Sequence, residues 1–179
     1  RAASRSWVAI ILAVLLALSC ILFVLPFPNR RRDYAWHVKQ ISQLCQIEAA
    51  LMLFCREFDA RPPSDANDVT GLPYCGAMKL VEAVIGRDLL GFHVRSGFRA
   101  DGLDPNTLVS LYPAAPSPDN LKARRGPYLP AESANAFRLA DIYGKGHTGP
   151  FREDLFVLCD FFERKRLGGK KTGMPILYY

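Results

Sequence analysis

A run of 19 residues without a single charge, Trp7 to Leu25 (WVAIILAVLLALSCILFVL), constrains the fold of this chain more than anything else in it. As a helix rising about 1.5 Å per residue it would span roughly 28 Å, close to the hydrocarbon thickness of a bilayer. A helix on the core of a 179-residue protein carries a polar stripe, and here Ser19 is the one hydroxyl. Arg1 and Arg5 precede the run, Arg30 to Arg32 follow it, and Pro26 and Pro28 stop a helix at its far end. The run predicts an uncleaved transmembrane helix bounded by Trp7 and Leu25, with residues 1–28 as the membrane anchor. Two rival readings fit less well. A secretory signal has a shorter apolar stretch ending in a small-residue cleavage site. Leu15-Leu16-Ala17-Leu18-Ser19-Cys20 is close to a lipidation signal, yet Ile21 to Phe27 stay apolar where a lipidated tail turns polar. Basic residues on both flanks leave the orientation open.

Charge follows the same division. Five of the 23 basic residues lie in the first 32 positions and all 17 acids come later, so residues 33–179 carry a net +1. The sequence pI of 9.2 therefore belongs to the N-terminal segment. A nucleic-acid binder needs a basic face on the folded part, so nucleic acid is not an expected partner. With half its residues apolar, the chain is not a disordered polymer either.

Beyond the prolines, Asp33 to Asp59 predicts one long amphipathic helix, the core of an element covering 29–60. Its apolar positions Ile41, Leu44, Ile47, Leu51, Phe54 and Phe58 recur at intervals of three and four, and mark the expected packing face. Lys39, Gln43, Gln46, Arg56 and Glu57 fall mostly off that stripe. Arg61-Pro62-Pro63 ends the helix. Residues 60–75 read as a loop, 76–86 as a short apolar helix, and 97–130 as mainly irregular. Strands are expected at 136–143, 154–162 and 175–179, the last two joined by ERKRLGGKKTGM. The fold class is α+β: an N-terminal transmembrane helix, then a long amphipathic helix packed on a small antiparallel sheet. Residues 61–179 form the loop-rich globular part, one domain with 29–60.

Cys20 falls in the apolar run, leaving Cys45, Cys55, Cys75 and Cys159. In an oxidising compartment four cysteines make two disulfides. Cys45 and Cys55 lie about 15 Å apart along a helix, too far to bridge. The open pairings are 45–75 with 55–159, or 45–159 with 55–75; the second staples the helix end to the following loop and is preferred. Buried free thiols are the alternative.

Chemical motifs are incomplete. His37, His93 and His147 stand far apart and no C-x-x-C occurs, so no zinc site is signalled. Gly168-Gly169-Lys170-Lys171-Thr172 lacks the P-loop's first glycine, Arg164 standing in its place. Lys171-Thr172-Gly173 and Ser133-Ala134-Asn135 match two motifs of penicillin-binding proteins, but no serine is followed by lysine at the third position. Two weaker candidates are a thiol at Cys75 with a histidine such as His93, and a cation loop at Asp65 and Asp68. No catalytic residue, cofactor, metal or small-molecule substrate is expected.

The order of elements resembles the plan of type IV pilins and type II secretion pseudopilins. Ile47-Glu48-Ala49-Ala50-Leu51 through Phe58-Asp59-Ala60-Arg61-Pro62-Pro63 is similar to the family's helix end. Gly126-Pro127-Tyr128-Leu129 is similar to the segment entering the pseudopilin sheet. Cys159-Asp160, then Gly173-Met174-Pro175-Ile176-Leu177-Tyr178-Tyr179, resembles the ending of G-type pseudopilins stretched by an insertion. Arg1 to Ser6 shows no prepilin cleavage site, and no acid precedes Asp33, where the family carries an early glutamate. The resemblance implies a structural subunit that meets other subunits of a secretion or pilus-like assembly. It implies a single pass through the bacterial inner membrane, with the globular part on the exported side. A membrane-tethered exported enzyme or ligand-binding domain, using Cys75, His93 or the Asp65–Asp68 loop, is the alternative.

Overall fold

The computed structural model describes Trp7, residues 13–17, Ser19 and residues 28–179, with 28–33 as backbone only. It divides into two compact units, Arg1–Val38 and Lys39–Tyr179. Among the described residues no helix is long and apolar enough to cross a membrane, which overturns the expected transmembrane helix and the single-pass arrangement built on it. Of the run from Trp7 to Leu25, only Trp7, 13–17 and Ser19 are described; Leu25 and the rest lie outside the described residues. Helix α1, Pro28–Phe58, has the length for a span but not the composition. It holds Arg30, Arg31, Arg32, Asp33, Lys39, Glu48, Arg56 and Glu57, and each ion at a bilayer centre costs about 3 kcal/mol or more.

Proline opens α1, where its missing N–H is one of the orphan donors of the first turn. The helix stops at Asp59, which takes a left-handed φ of 51°, and Pro62-Pro63 cannot resume it. Helix α2, Gly76–Val84, is buried at all nine positions and forms the centre of the second unit. Ile47 and Ala50 of α1 pack with Leu80, Val81, Val84 and Ile85 on one side of it, joined by Leu129, Ala134 and Leu158. On the other side Ala77 and Met78 meet Tyr74, Leu139, Ile142, Leu155, Val157 and Cys159. A third cluster is aromatic: Phe54 sits 5.1 Å from Phe92, edge to face, with Phe58, Phe98 and Tyr128 around them. Gly76 is required at the start of α2, because a Cβ there would lie 2.3 Å from the Tyr178 carbonyl oxygen.

The remaining elements are short. They are β1 (Phe92–His93), α3 (Pro118–Lys122), β2 (Arg124–Arg125), α4 (Ala131–Ala134), β3 (Ala136–Arg138), α5 (Leu139–Tyr143), β4 (Phe156–Leu158), β5 (Arg164–Lys165) and β6 (Lys171–Thr172). They make three two-stranded antiparallel ladders, β1–β2, β3–β4 and β5–β6, in place of the single sheet expected from the sequence. The fold is a mixture of helix and small antiparallel sheet, with α1 covering α2, Leu158 of β4 buried in the cluster beneath it, and Phe156 and Ala136 packed at that cluster's margin. The stretch 136–143 begins as strand and turns helical at Leu139. Residues 175–179 contribute one bridge, Cys159 to Pro175, and an Ile176 N–H bond to the Leu158 carbonyl at 2.8 Å.

Candidate functional site

Helix α1 is apolar on two sides. Gln43, Ile47, Ala50 and Phe54 are buried, at intervals of four, three and four, so the core stripe runs through 43–47–50–54. Leu51 and Phe58 are half-buried at its margin. Ile41 and Leu44, expected on the packing face, are instead 62% and 48% exposed. Ile41 lies two residues from Gln43, about 200° round the helix. On the same outward side are Cys45, Met52 (61% exposed) and, at its edge, Leu53 (50%). Glu48 is the one acid between Ile41 and Met52, and it borders a groove of about 320 Å³ lined by Leu51, Met52, Cys55, Arg61 and Tyr178.

Amide chemistry sets the rotation of α1. The Gln43 amide donates to the carbonyls of Ala134 at 3.0 Å and Cys159 at 2.9 Å. Gln40 accepts from the Phe161 N–H at 2.9 Å. Asn135, held left-handed at φ 48°, donates to the carbonyls of Cys159 and Asp160. The Asp160 carboxylate takes the N–H groups of Phe162 and Met174, both at 3.0 Å. Buried peptide groups must be paired, and the carbonyls of the chain leaving β4 are paired by Gln43 of α1 at Cys159 and by Asn135 at Cys159 and Asp160. Sequence periodicity left Gln43 off the packing stripe because a glutamine scores as polar wherever its amide points.

The candidate cysteines are not brought together. All four described cysteines are free: Cys45 is exposed, Cys55 and Cys75 are half-buried, and Cys159 is buried. Neither expected disulfide pairing is formed. Burial, and then the nearby Asp160 charge, push the Cys159 thiol up to about 12. Cys75 precedes α2 and packs with the Tyr74–Met78 cluster, while His93 lies on β1 beside the Tyr112 ring. No hydrogen bond joins Cys75 to His93. The His93 ring accepts the Arg95 N–H at Nδ1, and burial together with Arg95 and Arg124 lowers its pKa.

The Asp65–Asp68 loop is closed on itself. Asp68 accepts from the N–H groups of Thr70, Leu72 and Ala100 and from the Thr70 hydroxyl. Burial raises its pKa, but those donors outweigh it and hold the carboxyl below its ordinary range. The carboxylate is a staple between two loops, with its lone pairs occupied. Lys79, 2% exposed, donates to the carbonyls of Asp65 and Asn67. Among the described residues no group of three or more His, Cys, Asp or Glu is placed to hold a metal ion.

One buried polar cluster had no sequence signature. Glu82, 1% exposed on α2, accepts from the hydroxyls of Tyr74 and Ser96, both at 2.5 Å. Burial raises the Glu82 pKa against the pull of those donors and of Arg87. Next to it Arg124 pairs with Asp88 and stacks over Tyr112. These groups come from four separate stretches of chain, which no spacing rule connects. They lie inside the fold; the groove at the outward side of α1 is open.

Comparison with protein-family models, curated proteins and solved structures gave no match to this chain.

Proposed function

We propose that this chain is a structural subunit of a pilin-like assembly, joined to a second copy or a related subunit through the outward side of α1. The observation that carries the reading is the exposure of Ile41, Leu44, Met52 and Leu53 on a helix whose other side is already in the core. Large apolar side chains left in water along one side of a helix, here around the single charge of Glu48, mark a contact in natural proteins. Adjacent helices packing side by side bury such stripes by ridges-into-grooves contact. The resemblance of residues 47–63 and 159–179 to pseudopilin segments points to the same class of work, done by packing and not by chemistry.

The test uses the full chain in mild detergent, with its size followed by light scattering over a range of concentrations. The wild type is expected to run larger than a monomer, and an Ile41→Asp, Met52→Asp variant to run as a folded monomer with an unchanged near-UV circular dichroism spectrum. A wild type that is monomeric throughout, or a variant that assembles equally well, refutes the proposal.

A further inference from the structure

The hairpin β5–β6 concentrates positive charge. Arg164, Lys165, Arg166, Lys170 and Lys171 fall within eight residues, while the rest of 33–179 holds 13 basic and 17 acidic residues, a net −4. Of these five cations, Lys170 is the one with an acidic partner among the described residues, Asp141 at 2.9 Å. Lys165 and Lys171 face each other directly across the ladder. Like charges in that position repel and destabilise the pair unless an anion lies between them. The Arg166 Nε is buried without a hydrogen-bond partner.

Beside these cations runs an apolar groove of about 530 Å³ lined by Ile142, Tyr143, Lys165, Arg166, Leu167, Met174 and Pro175. Leu167 at the turn is 85% exposed and Met174 is 56% exposed. The turn lies close on α5: a Cβ at Gly168 would be 2.1 Å from the Asp141 carbonyl oxygen. Cations and exposed apolar side chains therefore share one edge of the unit.

We infer that this edge docks on the surface of a bilayer rich in anionic phospholipid. Lys165, Arg166 and Lys171 would meet the phosphate headgroups, and Leu167 and Met174 the boundary with the acyl chains. Basic residues near an anionic leaflet gain affinity one by one, and a small apolar tip adds to it. A nucleic-acid duplex asks for a basic face spread over many phosphates, which a unit of net −4 elsewhere does not offer. The negative remainder turns the hairpin toward an anionic surface. This is a peripheral contact with no crossing of the bilayer, and it is independent of the assembly reading.

The hairpin carries its own reporter, because trypsin cuts after each of its five cations. The full chain is digested with vesicles of phosphatidylcholine alone or mixed with equal phosphatidylglycerol. Cleavage at 164–171 is measured by mass spectrometry against cleavage after Lys122 and Arg152. Anionic vesicles should slow hairpin cleavage about ten-fold, and about 0.5 M salt should restore it. Leu167→Asp, which keeps every trypsin site, should lose most of the protection. The Ile41→Asp, Met52→Asp variant should keep it. Equal cleavage on both vesicles overturns the inference. Protection by a DNA duplex or by polyglutamate that equals that of anionic vesicles and survives Leu167→Asp overturns it too.

Discussion

Gln43→Ala and Ile41→Ala, compared in the full chain, put the rotation of α1 to a quantitative test. In the structure the Gln43 amide makes two hydrogen bonds inside the protein, to Ala134 and Cys159. Truncation removes both at about 1 kcal/mol each, and leaving a buried carbonyl unpaired adds to that. Cys159 keeps the Asn135 amide as a donor, so the added cost falls on Ala134 alone. The expected destabilisation is about 2–3 kcal/mol. Ile41 is 62% exposed. Its truncation forfeits little burial and gains helix propensity, so the change stays within about 0.5 kcal/mol of zero. Urea denaturation in mild detergent, followed by near-UV circular dichroism, measures both. A loss for Ile41→Ala as large as that for Gln43→Ala would show that α1 buries the stripe through Ile41 and Leu44, and the outward face would disappear with it.

Other substitutions probe the loops and thiols. Asp68→Ala strands the N–H groups of Thr70, Leu72 and Ala100, for a loss of about 2–4 kcal/mol in the same assay. Because the folded carboxyl titrates below its ordinary value, its contribution is present above the unfolded pKa and lost as pH falls through the folded one. The wild type should thus lose stability on acidification more steeply than Asp68→Ala, and parallel acid limbs would contradict this. Iodoacetamide at neutral pH should modify exposed Cys45 first and Cys159 last, since the latter is buried with its thiol raised to about 12. Equal alkylation rates by peptide mapping would refute that order. Gly173→Ala places a Cβ 1.9 Å from the Asp160 carbonyl oxygen, and forcing the two apart should cost about 1–3 kcal/mol in urea denaturation.

Legibility in the sequence follows the range of the forces involved. α1 and α2 were both visible, because each has an internal period and a terminator: Asp59 with Pro62-Pro63 for the first, Gly86 for the second. The stop of β3 at Arg138 was not, since the pairing of Ala136 to Arg138 with Phe156 to Leu158 is fixed by a partner 20 residues away. Residues 175–179 have strand composition, yet the nearby β4 offers them only the Cys159–Pro175 bridge and the Leu158 carbonyl. Cysteine counting predicted bridges from number and even parity, which carry no information on where Cys45 faces. The Glu82 cluster escaped for the converse reason: its members become neighbours only after α2 is buried.

The two apolar stripes of α1 share Ile47 and Phe54, and the one read from periodicity departs from the buried one at Ile41 and Leu44. Three- and four-residue intervals fit 41–44–47–51–54–58 as well as 43–47–50–54, and hydropathy favours the first because it contains no glutamine. What decides is the pairing of carbonyls. Turning α1 by one residue, about 100°, would bring Leu44 inward in place of Gln43. The Ala134 carbonyl would then lose its donor, at a price larger than the gain from burying one more leucine side chain that is already half-covered. The amide therefore fixes the helix, and Ile41, Leu44 and Met52 are left outward as a consequence. Nothing in that constraint forbids polar residues at the outward positions, where lysine or glutamate would be favourable in water and good helix formers. Between residues 40 and 55 the sequence places a charge at Glu48 alone. An outward face that is free to be polar, yet carries Ile41, Leu44 and Met52 around the single charge of Glu48, is the physical ground on which the proposed subunit contact rests.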